Sequence, residues 1–401
     1  MAPPDTSGDI VAFTSAVLIT GDEMEVQRNA ALNVQDGRII AIGAALPGAR
    51  IVDLGASLMC PMFVNSHTHV GDSGAKELGI GLRLEEAVAP PRGLKHRFLA
   101  GVDSELQVRM MRDTLLDMLQ GGTIAFADFR EQGFAGVRAL RRAAADLPIH
   151  AVILGRMAEG ASTAATEREA HALLAEADGL GIRDVEAYRP KLLALLRNRY
   201  PGRLFAVHTA ESRTAQEDSL RRTGRTQVAR VLEWEPDLLI HLVHATPGDL
   251  ALVARRNTAV VSCPRCNGTL GDGFPDLAAW RSAGIALALG TDNVMFVAPD
   301  MLREMDFASR LGRGLAEDPT AIATRDILRA ATIVGARALR LDHELGSLVP
   351  GKQASFVAFD LDRPHLRYQH DPISALVHRA GRADITAIYV AGQKLTELLP
   401  H

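Results

Sequence analysis

Residues 104–129 read SELQVRMMRDTLLDMLQGGTIAFADF. Leu106, Met110, Leu115, Leu116 and Leu119 recur mostly at helical spacing. Gly121-Gly122 then stops the helix, and Thr123 to Phe129 follows as a short apolar strand. The same order of amphipathic helix, glycine stop and strand returns along the middle of the chain. Strands are expected at Pro61 to Asn65, Thr123 to Phe129, Ile149 to Leu154, near Gly179 to Val185, and at Leu204 to Val207. Three more are expected at Leu238 to Val243, Ala259 to Ser262 and Ile285 to Leu289, which makes eight, most of them followed by a helix. Strand starts at Thr123 and Ile149 lie 26 residues apart, as do those at Ala259 and Ile285. Alternation at this spacing means parallel strands with crossover helices. Eight units predict an α/β fold closed as a (β/α)8 TIM-type barrel, with an open doubly wound sheet as the rival. No G-x-G-x-x-G or G-x-x-x-x-G-K follows a strand, which weakens the nucleotide-binding rival.

Outward from this middle, both ends turn β-rich. Ile10 to Ile19 and Ala31 to Val34 are β-prone, Asp36-Gly37 is a turn before the alternating run Arg38 to Gly43, and Ile51 to Leu54 follows. Near the other end stand Gly346 to Leu348, the turn Pro350-Gly351-Lys352, and strands at Ala354 to Phe359 and Ile385 to Val390. The expected division is a small β-sandwich domain built from both termini, residues 1–59 and 343–401, around a barrel of residues 60–342.

The 401 residues are 47% hydrophobic and 23% charged, which excludes disorder as the main state. A net charge of −4, from 44 basic and 48 acidic residues, gives no electrostatic reason for nucleic acid or an anionic membrane as partner. Cys60, Cys263 and Cys266 cannot make a disulfide framework and read as reduced thiols. Met1 to Asp9 has neither a basic nor an apolar signal-peptide region, and no run of about 18 apolar residues occurs. A cytoplasmic, soluble protein with a small-molecule substrate is expected, with a homodimer as the default assembly.

Polar residues emerge where apolar strands end. His67-Thr68-His69 ends the first strand, and residues i and i+2 share a side. His208 closes Leu204 to Val207 with Glu211 three residues on, His241 sits in Leu238 to His244, and Asp292 closes Leu287 to Thr291. In a (β/α)8 barrel these ends share one face, where catalysis sits. Three imidazoles and one carboxylate, His67, His69, His208 and Asp292, make a set suited to zinc that leaves a position for water. Arg130, Arg156, Arg265 and Asn267 emerge on the same face as candidate substrate contacts, and the arginines point to a carboxylate or phosphate. Asp72 is a candidate neighbour of the H-x-H pair or a helix cap, Pro90 to His96 a lid or a surface turn, and His244 a structural neighbour. Aromatic residues are only 4%, leaving Phe129, Phe296 and Trp280 as rings for a flat base.

The segments Pro61 to His69, His208-Thr209-Ala210-Glu211, His241-Leu242-Val243-His244 and Gly290-Thr291-Asp292-Asn293 occur in the order of the amidohydrolase superfamily. The chain resembles its branch of cytosine deaminases, S-adenosylhomocysteine deaminases and triazine hydrolases. Leu345 to Ser355 is similar to that branch's return to its β-sandwich. The resemblance implies one divalent metal on His67, His69, His208 and Asp292, zinc first and Fe2+ or Mn2+ as alternatives. Members with two metals commonly carry a bridging lysine on the fourth strand, and Ile149 to Met157 and Gly179 to Ala187 contain none. Glu211 fits the place of the glutamate that deaminating members keep. The implied mechanism is attack of hydroxide on an sp2 carbon bearing an amino group. Asp292 takes the proton from water, Glu211 protonates the ring nitrogen and His241 polarises the oxygen. Ammonia is the leaving group. The alternative on the same scaffold is hydrolysis of an amide, cyclic amide or formimino bond.

Overall fold

The computed structural model describes residues 9–158, 163–256 and 258–399. The segment Met1 to Asp9 lies outside them up to residue 8. Two sheets organise the described residues. The first contains the parallel strands β1 (Phe63–His69), β2 (Thr123–Arg130), β3 (His150–Gly155), β4 (Gly179–Ile182) and β5 (Leu204–Thr209). It continues through β6 (Leu238–His241), β7 (Ala259–Ser262) and β8, which runs Leu287–Leu289, breaks, and resumes at Asp292–Asn293. Each strand pairs in parallel with its sequence neighbour, from β1 to β8. Strand β8 meets β7 through Leu287–Leu289 and β1 through Asp292 and Asn293. Two successive amides at its break close the ring: Gly290 N donates to Ser262 O at 3.0 Å and Thr291 N to His67 O at 3.1 Å. A Cβ on Gly290 would lie 2.7 Å from the His67 nitrogen, so only glycine admits this approach of β8 to β1. The result is a TIM-like barrel.

The helix of the opening stretch spans Ser104–Gln120. Asp103 caps it by accepting from Leu106 N at 2.9 Å, and Gly121 N closes its last turn on Asp117 O at 3.0 Å. Its face of Met111, Leu115, Met118 and Leu119 is buried in the same core as β1 and β2. All eight residues of β2 are buried, as a strand covered on both faces requires.

The second sheet has eight strands drawn from both ends of the chain. Its order is Gln393–Lys394, Ile385–Val390, Phe356–Asp360, Ser57–Pro61, Val11–Thr20, Glu25–Gln35 and Arg38–Gly43, with Arg50–Asp53 also pairing to Val11–Thr20. Ser57–Pro61 and Phe356–Asp360 join the two ends, antiparallel, with Phe356 opposite Pro61. Alternation decides what each face covers. Val17, Ile19, Leu58, Cys60, Val357 and Phe359 pack into the barrel's core, while Leu18, Met59, Phe356 and Ala358 form a separate apolar cluster with Phe13 and Leu32. Three features differ from expectation. Pro61 ends the terminal-sheet strand, so the first barrel strand starts at Phe63 and runs through the histidines. Gly346 to Leu348 forms no strand, and Pro372–Arg379 forms a helix that the β-rich reading missed. No helix among the described residues is long and apolar enough to cross a membrane.

Candidate active site

A cleft of about 210 Å³ opens at the C-terminal ends of the barrel strands. His69, His208, His241, Glu211 and Asp292 line it. His67 and His69 end β1 on the same side, His208 lies on β5 and Asp292 on the resumed part of β8. His67 Nε2 is 3.3 Å and His69 Nε2 3.4 Å from Asp292 Oδ1, and His208 Nε2 is 3.2 Å from His67 Nε2. Two overlapping triads, His67/His69/His208 and His67/His241/Asp292, each hold their ligand atoms within 4.8 Å of one another.

The partners on the far side of two rings decide what these nitrogens can do. His69 Nδ1 faces Glu131 Oε1 at 2.9 Å and His208 Nδ1 faces Arg183 O at 3.0 Å. Each acceptor takes the one proton of a neutral imidazole, which leaves the Nε2 lone pair pointing at the centre. Burial lowers the pKa values of His67, His69 and His208, that of His69 to about 4, so all three rings are neutral near pH 7. Burial pushes the Asp292 carboxyl up, but the hydrogen bond with His67 and the rings of His241, His67 and His69 outweigh it and hold the group well below the carboxylate range. The Nε2 lone pairs of His69 and His208 thus converge with the Asp292 carboxylate, whose Oδ2, like His67 Nδ1, is buried without a hydrogen-bond partner among the described residues. This donor set fits a divalent cation.

Backbone conformation aims the groups. Ala210, His241, Leu242 and Asp292 have φ of 51°, 79°, 46° and 64°, a left-handed region that non-glycine residues occupy at a cost of about 1–3 kcal/mol. Glu211 lies two residues past β5, with Oε1 3.4 Å from His241 Nε2. Burial first, and then the Asp292 carboxylate, push Glu211 up to about 8. His241 Nδ1 faces Asn267 Nδ2 at 3.2 Å.

The expected substrate contacts separate. Arg156 lines the cleft. Arg130 is fully buried, spent on Glu131 at 2.6 Å and Asp128 at 3.4 Å, and does not line it. Arg265 turns to Glu304 at 3.4 Å and Ala298 O at 3.1 Å, and Asn267 is buried against His241. Neither reaches the cleft wall, because each satisfies a buried polar group beneath it. Asp72 accepts from Asn293 Nδ2 at 2.8 Å and Met295 N at 3.0 Å, which ties the turn after β1 to the turn after β8. His244 bonds to Asp272 O at 2.6 Å, outside the cleft lining. Phe129 packs against His67 and His208, ring centroids 4.6 Å away in each case, beneath the histidines rather than in the cleft.

Sequence reading passed over Lys95, Glu131 and Arg183. Lys95 comes from the segment read as a lid or surface turn, yet it is 2% exposed. Its Nζ lies 2.5 Å from Glu131 and 3.8 Å from Asp72, and it lines the cleft with Pro90. Burial would raise the Glu131 pKa, but Lys95, His69 and Arg130 hold it well below the usual range. Glu131 was findable: it stands one residue past β2, beside an arginine that drew the attention instead.

A protein-family model described as "Amidohydrolase family" matches residues 58–395. A putative aminohydrolase of Methanothermobacter thermautotrophicus is 37% identical over 316 residues, covering 77% of this chain and 82% of that protein. A 5-methylthioadenosine/S-adenosylhomocysteine deaminase of Moorella thermoacetica is 29% identical over 389 residues, covering 90% and 88%. Among solved structures, an adenosine deaminase from Xanthomonas campestris with bound zinc has a TM-score of 0.84 at 23% identity, covering 96% of this chain and 92% of that one. At that identity the likeness is one of fold.

Proposed function

The chain belongs to the amidohydrolase family, and from that premise we propose that it is a metal-dependent deaminase. In this reading it replaces an amino group on an sp2 carbon of a heterocycle or amidine by oxygen and releases ammonia. The carrying observation is Glu211, a carboxyl 3.4 Å from His241 Nε2, set in the cleft that His69, His208 and Asp292 also line. A general acid beside a hydrolytic centre is what loss of ammonia from a ring carbon requires, and the names of the deaminase relatives support the same reading.

His67, His69, His208 and Asp292 would hold the metal. A divalent cation there, zinc by its three imidazoles and one carboxylate, supplies Lewis acidity that brings the pKa of water towards neutrality. Asp292 is ionised, with Oδ2 free of a hydrogen-bond partner among the described residues, and takes the proton that water loses. Glu211 protonates the ring nitrogen beside the attacked carbon, Asp292 passes the proton it took from water to the amino group, and Glu211 regains a proton from the new hydroxyl as the carbonyl forms. His241 donates to the oxygen as the carbon–oxygen bond forms. The carbon–nitrogen bond breaks and ammonia leaves. Lys95 and Arg156 on the cleft wall favour a substrate with an anionic or carbonyl edge.

Residues 60–342 form the catalytic unit, and 1–59 with 343–401 one β-sandwich. Supporting this division, Val11–Thr20 pairs Arg50–Asp53 along its first half and Ser57–Pro61 along its second, around the cluster of Phe13, Leu18 and Phe356. A cytoplasmic setting agrees with three cysteines that are free and buried.

The test is ammonia release by the zinc-loaded protein over a panel of amino-purines, amino-pyrimidines, pterins and amino-heterocycles. Turnover of at least one with stoichiometric ammonia is expected. Turnover confined to amides or cyclic amides would move the assignment to the alternative hydrolysis.

A further inference from the structure

Two of the site's histidines meet an acceptor at Nδ1: His69 meets Glu131 at 2.9 Å and His208 the Arg183 carbonyl at 3.0 Å. His241 meets the reverse. Its Nδ1 lies 3.2 Å from Asn267 Nδ2, an amide nitrogen that can only donate. Asn267 is fully buried, and so is its Oδ1, which has no hydrogen-bond partner among the described residues.

We propose that Asn267 is a positioning residue that fixes His241 as its Nε2–H tautomer and so sets it apart from the site's lone-pair-bearing histidines. A neutral imidazole carries one N–H. With Nδ1 accepting from Asn267, that hydrogen sits on Nε2, which points to Glu211 Oε1 at 3.4 Å. The ring therefore enters the cleft as a donor. It belongs to a second triad with His67 and Asp292 by distance alone, and its tautomer denies a cation the lone pair that this triad would need. The opposite tautomer would set an Nε2 lone pair against a Glu211 oxygen. It would be tolerated only with the Glu211 proton turned to His241 instead of to substrate.

The anchoring of Asn267 explains why it is held so firmly. It lies on the short helix Pro264–Leu270, whose first turn is tied down by Glu304: Oε1 accepts from Arg265 N at 3.1 Å and Oε2 from its guanidinium at 3.4 Å. Asn267 N donates to Cys263 O at 3.0 Å, and Asn267 O accepts from Asp272 N at 3.1 Å. Backbone bonds on both sides fix its main chain, from which the side chain meets His241.

That His241 donates to a substrate oxygen rests on the deaminase reading. The tautomer does not, so it is measured on the resting protein without substrate. Full-length protein carrying 15N-histidine is loaded with zinc, and long-range 1H–15N correlations assign the proton to one ring nitrogen of His241. A His241→Gln variant identifies its signals. Wild type is expected to show a protonated Nε2 and a bare Nδ1. Asn267→Asp places a carboxylate that can only accept opposite Nδ1, and is expected to invert the pattern while metal content is retained. A wild type with Nδ1–H or a mixture of tautomers overturns the proposal, as does an Asn267→Asp protein that keeps Nε2–H. If that variant does not fold, the wild-type spectrum alone decides.

Discussion

The barrel mouth and the terminal sheet are built from the same β-strand chemistry but carry their irregularities in different places. In the terminal sheet, left-handed φ occurs at Met24, Asp36 and Ala391, in turns between strands where it closes hairpins, and at Asn29, a strand residue exposed to solvent. In the barrel it occurs at His241 and Asp292, on strand residues that face the cleft. Polar groups differ in the same way. Those of the terminal sheet pair at its margins, as in Arg38–Glu344 and Thr14–Asp53, with Ser57 Oγ an unpartnered exception among the described residues. Those of the mouth include Asp292 Oδ2, Asn267 Oδ1 and Thr209 Oγ1, buried without hydrogen-bond partners among the described residues. Unsatisfied buried groups and left-handed backbone both cost stability. The barrel tolerates them because strands buried along their length over-determine the positions. Substitutions at the mouth should therefore remove turnover and leave the fold, and substitutions in the terminal sheet the reverse.

Asp292→Asn tests this at its extreme. The amide cannot take a proton from water and is a poorer ligand. The loss in kcat should exceed the ~10²–10⁴ of a general base alone, with the melting temperature nearly unchanged. Turnover within a few-fold of wild type would remove Asp292 from the mechanism. Unfolding would refute the claim that the mouth is separable from the fold.

Glu211→Gln comes next. Glutamine keeps size and shape but carries no transferable acid proton, so kcat should fall by about 10²–10⁴ and kcat/KM with it. Metal analysis should still find about one equivalent, because Glu211 is not in the ligand set. An unchanged kcat rules out the proton shuttle, whereas lost metal makes Glu211 a ligand.

The contrast also explains what could be read from the sequence. Regular strands such as Thr123–Arg130 and Ala259–Ser262 announce themselves by apolar runs, and the positions of His67, His69, His208 and Asp292 follow from where such runs end. Strand ends are local, and so they are legible. What the side chains meet is not local. Arg130 looked like a substrate contact because a cation at a barrel mouth faces solvent by default. Its carboxylate partners, Asp128 and Glu131, stand beside it in the sequence, but that all three side chains are buried together shows only after folding. Lys95 stayed hidden for the same reason, since a lysine after Pro90-Pro91 reads as surface and its partners lie on other segments. The strand Ser57–Pro61 was not expected as an element of its own, because an unbroken apolar run from Leu58 to Val64 does not show where one sheet hands over to the other.

Lys95 is where the contrast should blur. Lys95→Met deprives Glu131 of a cation 2.5 Å away, so the carboxylate that orients His69 is left to Arg130, His69 and, at 4.0 Å, Arg156. Metal affinity should weaken by about 10–100-fold, the usual effect of losing a partner behind a ligand. Stability should also drop, because one member of a buried ion pair is gone. Competition against a chelator reads the first effect and thermal unfolding the second. Wild-type affinity with a lowered melting temperature would make Lys95 a purely structural ion.

The smallest effect is expected at Asp22, between the strands Val11–Thr20 and Glu25–Gln35. It accepts from Ser347 Oγ at 2.6 Å and from Arg337 at 2.5 Å, and lies 3.7 Å from Lys352 Nζ, which joins the terminal sheet to the barrel helix Ile333–Ala338. Burial alone would raise its pKa, but the Ser347 bond and the charges of Lys352 and Arg337 outweigh that and lower it. A carboxyl with a lowered pKa stabilises the fold above its unfolded value of about 3.9, and that contribution is lost as the pH falls through the folded value. The side chain is 38% exposed, so solvent screening limits the contribution to about 0–1 kcal/mol. Asp22→Asn should therefore lower the melting temperature by about 1–2 °C near pH 7 and leave kcat unchanged. The gap to wild type should narrow below pH ~4 and close as Asp22 becomes protonated in the folded protein. A gap that stays constant from pH 7 to pH 3 would assign Asp22 a packing role with no charge component. A matching loss of turnover would show that the two regions are coupled after all.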